Sequence, residues 1–407
     1  MKNIKILLIA IMTVCCVVML KSCKKNSESD TFKIGVLAPV TSFMSGHGTS
    51  IEKGARIAQL ILNEEDGILG KKVELIVLDT QSDPSVTVDR TKELIEKHDV
   101  KLLIGTGTSA SSLAAITPAT EKKVPFIYSL DGECKTCSFG DASSVSTSVW
   151  GSGFTERMIV EPYLKYLEGR FRKSQDDDFK VFFVGGDYVY PRTTNAYAIE
   201  VAKKLGFTIL AEEYTDMSTK DYTPVIRRIL DENPDLLIVT NPGAAGVSFM
   251  RQALQLELNE KVVIGGFATF DQEAIDAMGN ASEGVFVVNR YSKFLNNTQN
   301  DEFLKLYSEK YSNDNLMPGP TAAAGSFGSI MLAAKAFNQA KSDELIDFRR
   351  HMNGAEMMLP QGPVRVNPDN QIFEQHVYIM QIRDQQYNLV QDLGIQIHPN
   401  FEGCSVK

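Results

Sequence analysis

From residue 31 onward the chain alternates between two hydrophobic rhythms. Apolar runs of four to seven residues give way to stretches in which apolar side chains recur every three or four positions. The first run, Phe32-Lys-Ile-Gly-Val-Leu-Ala38, predicts a strand, and residues 50–65 predict a helix with Ile51, Ala55, Ala58 and Leu62 on one face. Strands at 73–78, 101–104 and 124–128 then alternate with helices at 84–97 and 109–121. After Trp150 the pattern restarts. Helices at 156–167, 194–205, 222–231 and 247–256 interleave with strands at 181–184, 208–214, 235–240 and 262–266. Late strands at 284–289, 362–366 and 376–382 accompany helices at 301–311 and 322–338. Such alternation predicts right-handed βαβ units and the α/β class, as two doubly wound parallel-sheet lobes.

Neither half closes on itself, so the chain is expected to cross between lobes several times through a multi-strand hinge. The expected division is 32–149 with 289–355 for the first lobe and 150–288 with 356–392 for the second. Residues 393–407 would form a C-terminal tail.

The N-terminus follows another pattern. Met1-Lys-Asn-Ile-Lys5 precedes fifteen uncharged, mostly apolar residues from Ile6 to Leu20, a basic and then a hydrophobic region too short for a membrane span. It ends in Leu20-Lys-Ser-Cys23 and the polar tract Lys24-Lys-Asn-Ser-Glu-Ser-Asp30. This resembles a bacterial lipoprotein signal, with residues 1–22 removed, Cys23 acylated and 23–31 left as a flexible tether. Lys21 stands where such signals usually carry a small residue.

Losing residues 1–22 removes Lys2, Lys5 and Lys21 and no acid, which moves the net charge of −9 to −12. A chain this acidic without a basic cluster argues against nucleic acid as a partner. Cys134-Lys-Thr-Cys137 has the spacing of a redox pair or half a zinc site, but the five histidines are scattered. In an exported protein a small structural disulfide is the plainer reading, and neither a metal nor a cofactor is expected.

Gly105-Thr-Gly107-Thr-Ser-Ala110 has the form of a dinucleotide fingerprint, with Asp131 beyond it as an acid. Two strands precede it, however, where that fold would place the motif after its first. Thr108, Ser109, Ser111 and Ser112 instead offer hydroxyls at a helix N-terminus, which suits a carbonyl or carboxylate oxygen. Plain N-capping by Ser109 is the alternative. No H-E-x-x-H or G-x-S-x-G occurs, and no histidine is spaced to serve a nucleophile. Ligands of doubly wound sheets bind at the carboxyl ends of strands. Four segments there are rich in hydroxyls or aromatics: Val40 to Gly46 with Ser45, Gly107 to Ser109, Tyr128 to Asp131, and Asp187 to Tyr190.

Ile34-Gly-Val-Leu-Ala-Pro-Val-Thr41, Glu64-Glu-Asp-Gly-Ile-Leu-Gly70 and Asp79-Thr-Gln-Ser-Asp-Pro84 resemble the type I periplasmic solute-binding proteins of ABC importers. Gly186-Asp-Tyr-Val-Tyr-Pro-Arg-Thr-Thr-Asn195 and Pro360-Gln-Gly-Pro-Val-Arg-Val366, followed by Asn370, are similar to the urea and short-chain amide branch. The resemblance implies a non-enzymatic receptor that closes two lobes on a small solute and delivers it to permease subunits. It assigns Thr108 and Ser109 to the first-lobe dock, Tyr188 and Tyr190 to the second-lobe cover, and Thr269 to a position near the ligand. Where that branch carries a Tyr- and Pro-rich segment, this chain has Tyr128-Ser-Leu-Asp-Gly-Glu-Cys134, so Asp131 or Glu133 could instead meet an amino-acid ammonium. A periplasmic lipoprotein held to the membrane by its anchor alone is the expectation. A ligand-sensing regulator of the same fold and an exported amide hydrolase are the alternatives.

Overall fold

The computed structural model describes residues 31–128, 148–174, 177–270, 272–311 and 320–399. Cys23, Asp131, Cys134, Cys137 and Cys404 lie outside the described residues.

Strand β1, Thr31–Ala38, is apolar and almost wholly buried, as a strand covered on both faces must be. It pairs in parallel with β2, Lys72–Asp79, on one side and β3, Leu102–Gly105, on the other. β4, Phe126–Tyr128, and β5, Val149–Gly151, complete a five-stranded parallel sheet in the order β2-β1-β3-β4-β5. Helix α1, Ser45–Glu64, covers this sheet with Ile51, Ala55, Ala58 and Leu62 buried, the face that the periodicity predicts. At Gly54 a Cβ would stand 2.0 Å from Ala323 O, so only glycine lets α1 lie this close to α10, Pro320–Ala340. Ser326 Oγ donates across that contact to Ile51 O at 2.8 Å. Helices α2, Pro84–Glu96, and α3, Ser109–Glu121, complete this side of the lobe.

The second sheet runs β11-β12-β13-β10-β9-β8-β6-β7, with β14 paired to β13. Its parallel part is β6, Lys180–Gly186, β7, Thr208–Thr215, β8, Leu236–Thr240, β9, Val263–Phe267, and β10, Phe286–Asn289. Its antiparallel part is β11, Glu356–Leu359, β12, Gly362–Val366, β13, Phe373–Arg383, and β14, Gln386–Gln396. The helices interleaved with the parallel strands are α4, Glu156–Phe171, α5, Val189–Lys204, α6, Thr223–Glu232, α7, Gly243–Gln255, and α8, Gln272–Met278. Helices α9, Thr298–Tyr311, and α11, Leu345–Met352, lie between β10 and β11 in the chain, on either side of α10.

The chain passes between the sheets three times among the described residues: after β5, after β10 and after α11. Side chains tie these passages together. Ser152 Oγ donates to Tyr128 O at 3.1 Å and accepts from Ser329 Oγ at 2.9 Å, while its carbonyl accepts from Gln375 Nε2 at 2.9 Å and from buried Arg290. Trp150 Nε1 donates to Asn353 Oδ1 at 2.9 Å, and its ring stands edge-on to Phe348. Among the described residues a single bridge, Gly151 to Ile372, joins the two sheets.

The structure shifts several expected boundaries. β5 carries Trp150 and Gly151 in the first sheet, past the expected border at 149. β14 reaches Gln396, so residues 393–396 belong to the second sheet and not to a tail, with Leu393 packed on that lobe's core. Helices α1, α5 and α7 start four or five residues earlier than their apolar periodicity suggests, at Ser45, Val189 and Gly243. Their first turns face the cleft between lobes, where no apolar stripe is required.

Candidate functional site

In both sheets the first strand is flanked by its two successors, so the connections on either side of it leave in opposite directions. In the first sheet that reversal falls between β1 and β3, and in the second between β6 and β8. Crevices form at such switch points, beyond the carboxyl ends of the strands. The two crevices meet in a cavity of about 40 Å³, room for a few water molecules. Met44 and His47 follow β1, and Gly107, Thr108 and Ser109 follow β3. From the other lobe come Tyr188 and Tyr190 after β6, Pro242 after β8 and Ala268 after β9.

The first-lobe wall is polar and packed. At Gly107 a Cβ would fall 2.2 Å from Pro39 Cγ, so glycine lets the β3 loop lie against the β1 loop. Thr108, with extended backbone, caps α3 by accepting from Ser111 N at 3.2 Å. Ser111 Oγ accepts from Thr108 Oγ1 at 3.0 Å, and Ser112 Oγ pairs with Thr106 Oγ1 at 2.8 Å. The cap is therefore Thr108 and not Ser109. Ser109 opens the helix, is 4% exposed, and its Oγ has no hydrogen-bond partner among the described residues. A buried hydroxyl left unpaired costs about 1–3 kcal/mol, which a ligand oxygen would recover.

The β1 loop is held from β2. Burial alone would raise the Asp79 pKa, but hydrogen bonds from the Thr41 hydroxyl and the amides of Gln81 and Val40 outweigh it and hold the carboxyl below its usual range. This places Phe43 edge-on to Tyr188, with ring centroids 6.1 Å apart, across the gap between lobes.

The second-lobe wall is aromatic. Asp187 and Arg192 pair at 2.6 Å around the start of α5, and Arg192 lies 4.2 Å over the Tyr214 ring. The Arg192 hydrogen bond holds the Asp187 carboxyl below its usual range. Pro191 is buried in the first turn, where a missing N–H costs nothing. Tyr188 and Tyr190 are thereby presented 6.5 Å apart at a 41° tilt. Tyr190 donates its hydroxyl to Phe267 O. Tyr188 has no hydrogen bond from its hydroxyl among the described residues, and burial pushes its pKa up, so it remains a neutral donor.

Charge near the cavity comes mainly from backbone. Four helices begin there, α1, α3, α5 and α7, and only α3 has a side-chain cap. Free N–H groups at helix N-termini favour a carbonyl or carboxylate oxygen. No Asp or Glu lines the cavity among the described residues.

The structure thus brings together Thr108, Ser109, Tyr188 and Tyr190. Ser45 lies one residue from Met44, in a wider groove outside. Tyr128 is buried in the first-lobe core with its hydroxyl against Gly151, and Thr269 gives its hydroxyl to Val239 O and Phe267 O, each at 3.0 Å. Neither lines the cavity. Sequence reasoning missed Met44, Pro242 and Ala268, which carry no distinctive chemistry, and did not place His47, whose imidazole lines the cavity. It also missed Asn241, fully buried behind Gly186 and beside Tyr188, whose amide has no partner among the described residues. Its place directly after a strand, before Pro242-Gly243, was the available signal.

Two hinged α/β lobes with facing switch points, closing on a small cavity between them, define a receptor for a small solute. The chain belongs to the periplasmic binding protein family, whose model matches residues 31–386. It is a solute-binding protein and not an enzyme. Leu/Ile/Val-binding protein homolog 6 of Brucella melitensis biotype 1 is 21% identical over 364 residues, covering 87% of this chain and 88% of that one. The solute-binding protein of an ABC transporter from Rhodopseudomonas palustris BisB5, solved with 3,4-dihydroxybenzoic acid, superposes with a TM-score of 0.81 at 24% identity, covering 91% of this chain and 99% of that one. The branched-chain amino acid transporter substrate binding protein LivJ from Streptococcus pneumoniae, solved with isoleucine, gives 0.76 at 20% identity, covering 90% and 100%. Among the described residues no helix is long and apolar enough to cross a membrane.

Proposed function

We propose that this protein is the extracytoplasmic receptor of an ABC importer, anchored through an acylated Cys23, and that its solute carries a carboxylate. The observation that carries this reading is Ser109: a buried hydroxyl without a partner, at a helix N-terminus, inside a cavity that the other lobe closes with aromatic rings. A ligand oxygen would satisfy that hydroxyl and the free amides around it, and Tyr188 would add an apolar ring face and an O–H at its rim. The ligands named for the two solved structures, 3,4-dihydroxybenzoic acid and isoleucine, are both carboxylates, which supports the choice. Closure around the solute would present one surface to the permease, and only the closed form would dock productively.

A second reading, urea or a short amide, is favoured by the size of the cavity, which suits a planar molecule of few atoms. Four heavy atoms limit such a ligand to about −6 kcal/mol, or tens of micromolar. The test is a thermal-shift panel on the purified full chain, refolded from denaturant to remove carried-over ligand. It would contain aromatic acids, branched-chain and polar amino acids, urea and short amides. A ligand at a hundred times its Kd adds about 2.7 kcal/mol, a shift of a few degrees. A carboxylate that shifts the wild type but not Ser109→Ala supports the first reading. Shifts with urea or amides alone support the second, and product formation from an amide would make the protein a hydrolase.

A further inference from the structure

The inner cavity opens onto a second space. A groove of about 580 Å³ runs between the lobes, and Met44 and His47 line both. On the first-lobe side it is bounded by Ser42 to His47, and on the second by α7 and α8. Along α7 the lining residues are Gly243, Ala244, Val247, Ser248, Arg251 and Gln252, one continuous helix face. Pro242, just before that face, lines the inner cavity. The nine steps of chain from Pro242, at the cap, to Arg251 correspond to roughly 13 Å along the helix axis.

The lining has a direction. Close to the inner cavity stand the apolar side chains of Phe43, Met44 and Val247, with His47 lining both spaces beside them. At the far end stands Arg251, exposed, with its guanidinium donating among the described residues to Ala277 O. Among the described residues Arg251 forms no ion pair and no Asp or Glu lines the groove, although the chain carries a net charge of −9. Gln252, its neighbour, is already committed to Tyr222 N, Lys220 O and Ser248 Oγ. The groove therefore offers an uncharged-to-apolar strip, Phe43, Met44 and Val247 with His47 and Ser248 at its margins, from a dock for one carboxylate to a cation with open donor positions.

We infer that the solute is a two-ended anion whose first carboxylate sits at Ser109 and whose second anionic group reaches Arg251, with an apolar middle lying over Phe43, Met44 and Val247. This deepens the carboxylate reading and rests on it. Arg251 sets specificity for the far end, because a planar fork of donors suits a carboxylate in two-point contact. Gln252, held by three bonds, keeps that turn of α7 in place.

Isothermal titration of the purified full chain provides the test, using mono-acids from butanoate to decanoate beside dicarboxylates from succinate to sebacate. At one chain length the dicarboxylate is expected to bind at least tenfold more tightly than the mono-acid of equal length. Arg251→Ala should bring that ratio to within twofold of one, and Arg251→Lys should retain part of it. If mono-acids bind through Ser109 but no dicarboxylate gains, or if the gain survives Arg251→Ala, the extension is wrong while the dock stands. If neither series binds, the carboxylate dock fails, and the extension fails with it.

Discussion

The two lobes share a topology and treat the solute differently. The first presents hydroxyls and amides at the start of α3, arranged so that Thr108 pairs with Ser111 and Ser112 with Thr106, while the Ser109 hydroxyl is left without a partner among the described residues. The second presents rings, fixed by the Asp187–Arg192 pair and by the bond from Tyr190 to Phe267 O. One wall selects atoms, and the other shapes the space. The two lobes also differ in the titratable group that each relies on. The first-lobe loop depends on an ionised carboxylate, Asp79. The second lobe's entry depends on His398, buried and neutral, bonded to Thr155 Oγ1 at 2.7 Å ahead of α4.

Acid should separate the lobes by the largest margin. Burial, with Arg157 nearby, lowers the His398 pKa to about 4 from an ordinary 6.5. Its contribution is complete above pH 6.5, declines as pH falls toward 4 because the unfolded chain binds the proton first, and is then exhausted. The window amounts to about 3 kcal/mol. Asp79 has the opposite chemistry: its stabilisation persists until pH falls below the ordinary carboxylate value and is lost through a lower one. Hydrogen exchange at pH 5 should therefore show protection falling around Thr155 and the C-terminal strand while the β1 loop holds. Simultaneous loosening would remove the distinction.

Ser109→Ala comes next, at about 2 kcal/mol of binding, roughly thirtyfold in Kd for a carboxylate. Calorimetric unfolding of the empty protein should show no loss of stability, since the deleted hydroxyl had no partner. A lower midpoint would mean that Ser109 is structural. Tyr188→Ala should cost about 1.5 kcal/mol of binding, near tenfold, through the lost ring face and its contact with Phe43. Small-angle scattering should then show a wider cleft at equal ligand saturation. Tyr190→Phe is the mildest change, at about 1 kcal/mol of stability from the bond to Phe267 O, with ligand choice preserved. A change in ligand ranking would show that this hydroxyl reads the solute as well.

Much of this division was legible before the fold was known. The alternation of strands and helices marks both lobes, and the unusual residues of Gly105 to Ser109 and of Asp187 to Asn195 stand at carboxyl ends of strands. Hydroxyl content alone could not rank them. Thr269 and Ser109 look alike in sequence, yet one hydroxyl is spent on two carbonyls and the other is unspent. Tyr128 stands at the carboxyl end of its strand, much as Tyr188 stands just beyond one, but its ring turns into the core beneath Gly151. Met44, Pro242 and Ala268 act through shape, which leaves no mark on a single sequence. The early starts of α1, α5 and α7 escaped notice for a related reason: apolar periodicity records the face toward the core, and their first turns look into the cleft.

The hinge also carries an optical label. The chain contains one tryptophan, Trp150, and it sits on the pivot, fully buried, with its indole N–H on Asn353 of another passage and its ring against Phe348. Emission excited selectively in indole therefore comes from one of the three passages between the lobes. If closure alters the contact with Phe348 or the bond to Asn353, the emission should shift when a solute binds, which titration of the unmodified protein would show.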